Sequence, residues 1–335
     1  LAGLSFAWSG TSKLDGLVLL VIFFAAWALW RLSEPSDAWR SDLRCLGLFL
    51  YSAMVFTLVF WPALWVDPLH LLRAVSKFAG QFNNFSITYL AQHYRIDHVP
   101  WHYMLVHLLA VTPVASLVLV VLGASWSLRH LSRKHSIFEH ALLWCWLLVP
   151  LLARMKPGAL QYDGMRHVFL VVPALALLAG FGVDQMLKQW IWRTRILFPS
   201  VAFCCGLLAW LSWQTVQIHP YQGSYLNEGV RLFIPGPKLG DYFDFYSWGT
   251  PLKAGADWLD SHAPSHASVA VPNHLPTLQY YALRNDLRFE KADNADFIMV
   301  MGWRKDLRER FDSSLLFSVR CYGADLLLIY ARRKE

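Results

Sequence analysis

Residues 167–187 read HVFLVVPALALLAGFGVDQML, an almost unbroken apolar run with a single acid, Asp184, near its end. Wound as an α-helix, a stretch of this length reaches about 30 Å, the thickness of a bilayer's hydrocarbon core. A helix on the surface of a soluble domain would carry apolar residues on one stripe only. Here they run all round, so the run reads as a transmembrane span.

Working outward, five more runs meet or approach that standard: Gly16–Leu32, Cys45–Leu64, Tyr103–Leu128, Ile137–Met155 and Ile196–Ile218. Pro113, Pro150, Pro173 and Pro199 fall within the spans, which lipid-embedded helices tolerate when neighbours take up the freed carbonyls. The expected fold is a polytopic α-helical membrane protein of about six spans. The opening LAGLSFAWSG reads as the end of a further span that begins upstream of Leu1.

Composition agrees. Apolar residues make up 56% and charged residues 16% of 335 positions, against roughly 45–50% and 25% in soluble domains. Residues 1–217 hold 16 Lys/Arg and 9 Asp/Glu, and residues 218–335 hold 14 of each, so the whole net charge of +7 belongs to the apolar part. The basic residues sit in short loops rather than on one face, which argues against nucleic acid as a partner. Arg129, Arg133 and Lys134 crowd one loop, and Lys188, Arg193 and Arg195 another. By the positive-inside rule both face the cytoplasm, which turns residues 65–102, the 154–166 loop and the C-terminal part outward. Trp30, Trp61, Trp65, Trp101 and Trp190 lie near span ends, as interfacial anchors do.

Within 65–102, Leu69, Leu72, Val75 and Phe78 or Ala79 recur at helical spacing with Arg73 and Lys77 opposite, the pattern of a helix lying in the membrane interface. Beyond Ile218 the pattern changes. Ser268–Val271 and Phe297–Met301 read as short strands, Pro251–Ser261 and Arg304–Phe311 as helices, and Leu315–Arg320 with Asp325–Tyr330 as a hairpin about Tyr322-Gly323. The chain therefore divides into a transmembrane module, 1–218, and an extracytoplasmic α/β domain, 219–335. The domain lacks GxGxxG and GxxxxGK[ST], which removes glycine-loop nucleotide binding. Cys321 is its single thiol, so no disulfide framework arises, and it is expected to react with label applied from outside.

Chemistry gathers in the outer loops. KPGALQYDGMRH, 156–167, packs Lys156, Tyr162, Asp163, Arg166 and His167 into one short connection, and Lys13 in GTSKLDG faces the same side. Arg supplies a planar donor fork and Lys a point charge, a combination suited to a phosphate. An Arg–Asp pair beside a snorkelling Lys fits the same spacing. His102 and Tyr103, in PWHY, add aromatic surface that suits either a sugar ring or the interface. His107, Glu139 and His140 lie within spans and read as interhelical polar contacts. The sequence has no HExxH, CxxC or GxSxG, and no metal or cofactor is expected.

Five segments taken together resemble the glycosyltransferase family 39 group, the bacterial relatives of dolichyl-phosphate-mannose protein mannosyltransferases and of aminoarabinose lipid A transferases. They are WPALWVDP at 61–68, PWHYMLVHLLAVTP at 100–113, YDGMRHVFLVVPALALLAGFGV at 162–183, HPYQGSYLNEGV at 219–230 and YSWGTPLKAGADWL at 246–259. HPYQGSYLNEGV lacks the paired glycines that often follow this motif, and YSWG stands where DYWG is more usual. The resemblance implies a partial GT-C fold in a bacterial inner membrane. It also implies an enzyme that moves a sugar from a polyprenyl-phosphate donor to a glycan, lipid or protein acceptor on the extracytoplasmic side. It assigns Lys13, Lys156 and Arg166 to the carrier phosphate, and His102, Tyr103, Tyr162 and His167 to the lining of the site. The family's catalytic acidic residue is expected upstream of Leu1. A transporter or flippase for a lipid-linked anion and a non-catalytic membrane scaffold are the competing readings; the first calls for internal repeats, which the sequence lacks.

Overall fold

A computed structural model describes residues 1–12, 14–33, 39–69, 73, 76, 86–131, 137–162, 164–194, 198–243, 249–272, 284–311 and 314–332. The chain forms two compact units. The first comprises Leu1–Ser86, Tyr94–Leu109 and Val114–Val201; the second comprises Ile87–His93, Ala110–Pro113 and Ala202–Glu335.

The first unit is helical. Its main elements are α1 (Ala2–Ser12), α2 (Val18–Ser33), α3 (Trp39–Phe60), α4 (Tyr103–Val111), α5 (Val114–His130), α6 (Ile137–Met155) and α7 (Val172–Thr194), followed by α8 (Phe198–Gln217), which continues into the second unit. Among the described residues, four stretches are long and apolar enough to cross a membrane: Arg40–Phe60, Ile137–Met155, Phe169–Gln189 and Phe198–Gln217. The bent pair α4–α5 makes a fifth if it is counted as one span. This differs from the expected six. The run at Gly16–Leu32 yields a helix of only 16 residues, because Leu14–Leu17 is wound as a separate 3-10 turn. Tyr103–Leu128 folds as two helices bent by 115° about Pro113, which has no N–H to continue the first helix.

Small residues let these helices approach. A Cβ on Gly123 of α5 would overlap the Leu178 carbonyl of α7, and one on Gly182 of α7 would overlap the Leu119 carbonyl of α5. Such paired glycines are a hallmark of close helix packing in lipid, where backbone contact replaces hydrophobic burial as the driving force. Gly3 plays the same part between α1 and Ser52–Ala53 of α3. Between α2 and α6 lies a cluster of Ile22, Ala26, Ala141 and Cys145. His140 of α6 makes the interhelical polar contact expected of it: its Nδ1 lies 2.8 Å from Ser127 Oγ of α5, which also accepts from Trp144 Nε1 at 3.1 Å.

The second unit carries a five-stranded sheet in the order β4-β3-β5-β7-β6, with β3 (Ser268–Ala270), β4 (Arg288–Phe289), β5 (Phe297–Met301), β6 (Leu315–Cys321) and β7 (Ala324–Ala331). β3 pairs parallel with β4 and β5, while β7 runs antiparallel to β5 and β6. Tyr322 and Gly323 both have positive φ, 51° and 85°, as a two-residue hairpin turn with the twist of its strands requires. Leu327, Ile329 and Ile298 are completely buried. α10 (Pro251–His262) lies on β6 and β7, with Gly255 against Leu327 and Met299. Before it comes α9 (Glu228–Phe233), and after it α11 (Lys305–Phe311). Residues 86–95 form a two-stranded ribbon, β1 (Ser86–Tyr89) and β2 (Gln92–Arg95), within a stretch whose sequence pattern had been read only for a helix. Leu72, Val75, Lys77, Phe78 and Ala79 of that expected interfacial helix lie outside the described residues.

Candidate functional site

The two segments expected to line a site, 100–107 and 156–167, both lie in the first unit. The first opens α4. Tyr103 N–H donates to the Pro100 carbonyl at 3.0 Å and Val106 N–H to His102 at 2.9 Å, which starts the helix immediately after the proline. Tyr103 and His107 stand one turn apart on one face and stack at 5.7 Å with 28° between rings. Both are buried. His102 is half-buried and meets the exposed Trp101 edge-on at 5.4 Å.

The second segment leaves α6 through a turn at Gly158, φ 74°. Arg154 Nη1 donates to the Leu160 carbonyl at 3.3 Å, and Gln161 N–H donates to the Ile96 carbonyl at 3.0 Å. Gly164 then takes φ 55°, and its Cα is pressed so closely on His107 that a Cβ would overlap imidazole Nε2. Residues Gly164–His167 form a single 3-10 turn that returns His167 to Tyr162, ring edge to face at 4.4 Å and 73°. Lys156 and Arg166 are exposed. Lys13 and Asp163 lie outside the described residues.

Of the predicted residues, therefore, Tyr103 is brought into the buried Tyr103–His107–Gly164 contact, Tyr162 and His167 pair half-buried on the loop, and Lys156 and Arg166 are exposed on the same loop. The cations are not sunk among the aromatics. The loop thus carries two exposed cations in the same short segment as a half-buried aromatic pair.

Sequence reading passed over two features here. Gln161, 1% exposed, fastens the loop to residue 96 through its backbone N–H, with its side chain buried. Beside Ile96, Arg95 grips Asp97 through Nε at 2.6 Å and Nη2 at 2.5 Å, and His98 Nδ1 lies 2.8 Å from the same carboxylate. The Arg95 guanidinium, then His98, hold the Asp97 carboxyl well below the usual carboxylate range. A turn closed by the His98 N–H on the Arg95 carbonyl at 2.8 Å brings the two side chains together, and an Arg and an Asp two residues apart were the available signal.

A second polar cluster lies wholly in the second unit. Gln214 near the end of α8 is 4% exposed; its Nε2 donates to Glu228 Oε1 at 2.8 Å, and its Oε1 accepts from Arg231 Nη2 at 3.1 Å. The Arg231 guanidinium also stands over the Tyr322 ring at 4.1 Å. Asn227 caps α9 by accepting from Val230 N–H, donates from Nδ2 to the Thr112 carbonyl at 2.8 Å, and donates from its backbone N–H to Ala110 at 2.8 Å. The carbonyls at the α4–α5 break are satisfied in this way. Burial pushes the Tyr225 and Tyr322 phenols up to about 12 and the Cys321 thiol up to about 11. Cys321 is 6% exposed, so the sequence expectation of a thiol reachable from outside is corrected by the packing of β6.

Among the described residues no three His, Cys, Asp or Glu side chains are placed to hold a metal ion. Compared with family models, curated proteins and solved structures, the chain matches none. Fold and site thus define a class: a mostly helical chain with apolar helices long enough to cross a membrane, joined to a small C-terminal sheet unit.

Proposed function

We propose that the chain belongs to a GT-C type membrane glycosyltransferase, which transfers a sugar from a polyprenyl-phosphate carrier to an acceptor at the extracytoplasmic face of a bacterial inner membrane. The observation that carries this reading is the anchored loop 156–167, which holds two exposed cations beside the Tyr162–His167 pair. In the transfer, the sugar's bond to the phosphate oxygen breaks as an acceptor oxygen attacks the same carbon. The acceptor's proton passes to a carboxylate base, the role that the resemblance gives to the family's acidic residue, and negative charge grows on the departing phosphate. Lys156 and Arg166, with Lys13, stabilise that charge more in the transition state than in the ground state. Tyr162, His167 and His102 offer ring faces to the sugar, and Tyr103 with His107 fixes the loop through Gly164.

The 115° break between α4 and α5 favours one second reading, a flippase for the same lipid-linked anion, since interrupted helices recur at transporter sites. Transfer of a labelled sugar from a synthetic short-chain polyprenyl-phosphate donor by the full-length protein tests the first reading. Movement of intact donor across a proteoliposome membrane, without transfer, would replace it with the second.

A further inference from the structure

We infer that the tip of α9, Leu232 and Phe233, dips into the membrane and anchors the second unit to the leaflet reached by the C-terminal end of α8. This goes beyond the glycosyltransferase reading and rests only on its membrane part. Leu232 is 80% and Phe233 83% exposed, adjacent in sequence, and followed by the apolar Ile234-Pro235. Two neighbouring side chains this apolar and this exposed mark a contact surface.

Its occupant follows from depth. Toward this end α8 is exposed nearly all round, through Leu208, Trp210, Trp213 and Val216, as an apolar helix in lipid is, and Trp213 marks the headgroup level. Gln214 is buried against α9 and is three residues from the helix end at Gln217. At 1.5 Å rise per residue, it lies roughly 5 Å inside the end of the span. Glu228 and Arg231 of α9 both bond to Gln214, so α9 is held at the level of Trp213 rather than above the membrane. Arg231 is turned inward under Tyr322, leaving the next two residues as the outward part of the turn. At that level an exposed Leu-Phe pair meets the boundary between headgroups and acyl chains, as interfacial anchors do.

The test uses the full-length protein in phosphatidylglycerol/phosphatidylcholine nanodiscs. The accessible Cys45, Cys204 and Cys205 are replaced by Ser, and an NBD fluorophore is attached at Phe233→Cys, at Leu232→Cys, or at Leu208→Cys as a reference on the span. Expected are blue-shifted emission at 233 and 232, loss of emission with lipid carrying a doxyl group near the headgroup, and protection from aqueous iodide; the reference at 208, about 13 Å inside the helix end, is read with lipid carrying the doxyl group deep in the acyl chain. Water-like emission quenched by iodide at both positions, with Leu208→Cys quenched by doxyl lipid, overturns the anchor and leaves the membrane reading intact. Protection from iodide without doxyl quenching assigns the tip to a protein contact and equally overturns it. Absence of doxyl quenching at 208 as well overturns both the anchor and the membrane reading. Labels at 232 and 233 report independently, so misfolding of one variant leaves the other decisive.

Discussion

Gly164 lies against the imidazole of His107, with no room for a Cβ between the loop and α4. The same glycine has φ 55°, a conformation that L side chains resist. Both constraints act on one atom, so Gly164→Ala is expected to destabilise the protein by about 1–3 kcal/mol. Adding His107→Ala removes the overlap but not the backbone strain, and should restore only part of the loss. Thermal unfolding in detergent measures both. A Gly164→Ala variant as stable as wild type would mean that the loop does not seat on α4.

Asn227 is a second single-residue support. Asn227→Ala removes the cap on α9 and the bond to Thr112 together, for an expected cost of about 1–3 kcal/mol. Asn227→Asp keeps the acceptor for Val230 and loses the donor to Thr112, so it should fall between. Melting temperatures of the three proteins at one detergent concentration test the order; equal melting of Ala and Asp variants would assign the whole effect to the Thr112 bond.

Alkaline pH should weaken the second unit. Cys321 moves from an ordinary 9.0 to about 11 in the fold, and Tyr225 and Tyr322 from 10.0 to about 12, burial being the first cause for all three. The unfolded chain therefore loses these protons at lower pH than the folded one. Their stabilising effect is whole below about pH 9 and is lost as pH rises through 11 and 12. Unfolding midpoints should fall from about pH 9 upward, and Cys321→Ala should delay the onset toward pH 10. A flat profile to pH 11 would contradict the burial of these groups.

The same burial governs labelling. With its pKa near 11 rather than 9.0, Cys321 holds roughly a hundredfold less thiolate at neutral pH than a free thiol would. Cys205 and Cys45 are exposed and should react with an uncharged maleimide in detergent, while Cys321 reacts only after unfolding. Mass spectrometry of the alkylated peptides distinguishes these outcomes.

What could be read from the residues followed from periodicity. The strands at 268–270 and 297–301 and the Tyr322-Gly323 hairpin were legible because apolar runs were bounded by turn residues. Four of the six expected runs, and a fifth if the bent pair is one, were legible as helices long and apolar enough to cross a membrane, because lipid imposes a length. Boundaries set by tertiary contact were not. The 3-10 turn that shortens α2, the sharpness of the break at Pro113 and the ribbon at 86–95 depend on partners distant in sequence. The site divides in the same way. Its residue types declared themselves, but the contact between Gly164 and His107 and the role of Gln161 arise between segments about 60 residues apart. Burial of Cys321 depends on the sheet around it, which the lone thiol's position in sequence does not reveal.

In the proposed reaction Arg166, with Lys156 and Lys13, binds the phosphate of a lipid-linked sugar. A charge-assisted hydrogen bond is worth roughly 1.5–3 kcal/mol, and exposure of Arg166 and Lys156 places each at the lower end, about a tenfold loss. The decisive measurement is sugar transfer from a synthetic short-chain polyprenyl-phosphate donor by the full-length protein and its Arg166→Ala, Arg166→Lys, Lys156→Ala and Lys13→Ala variants, with folding checked in parallel. Donor use about tenfold weaker is expected for Arg166→Ala, with only partial recovery for Arg166→Lys, whose point charge cannot restore a planar fork. Folded alanine variants that all transfer sugar at the wild-type rate would contradict that role and reduce these cations to residues that merely set topology.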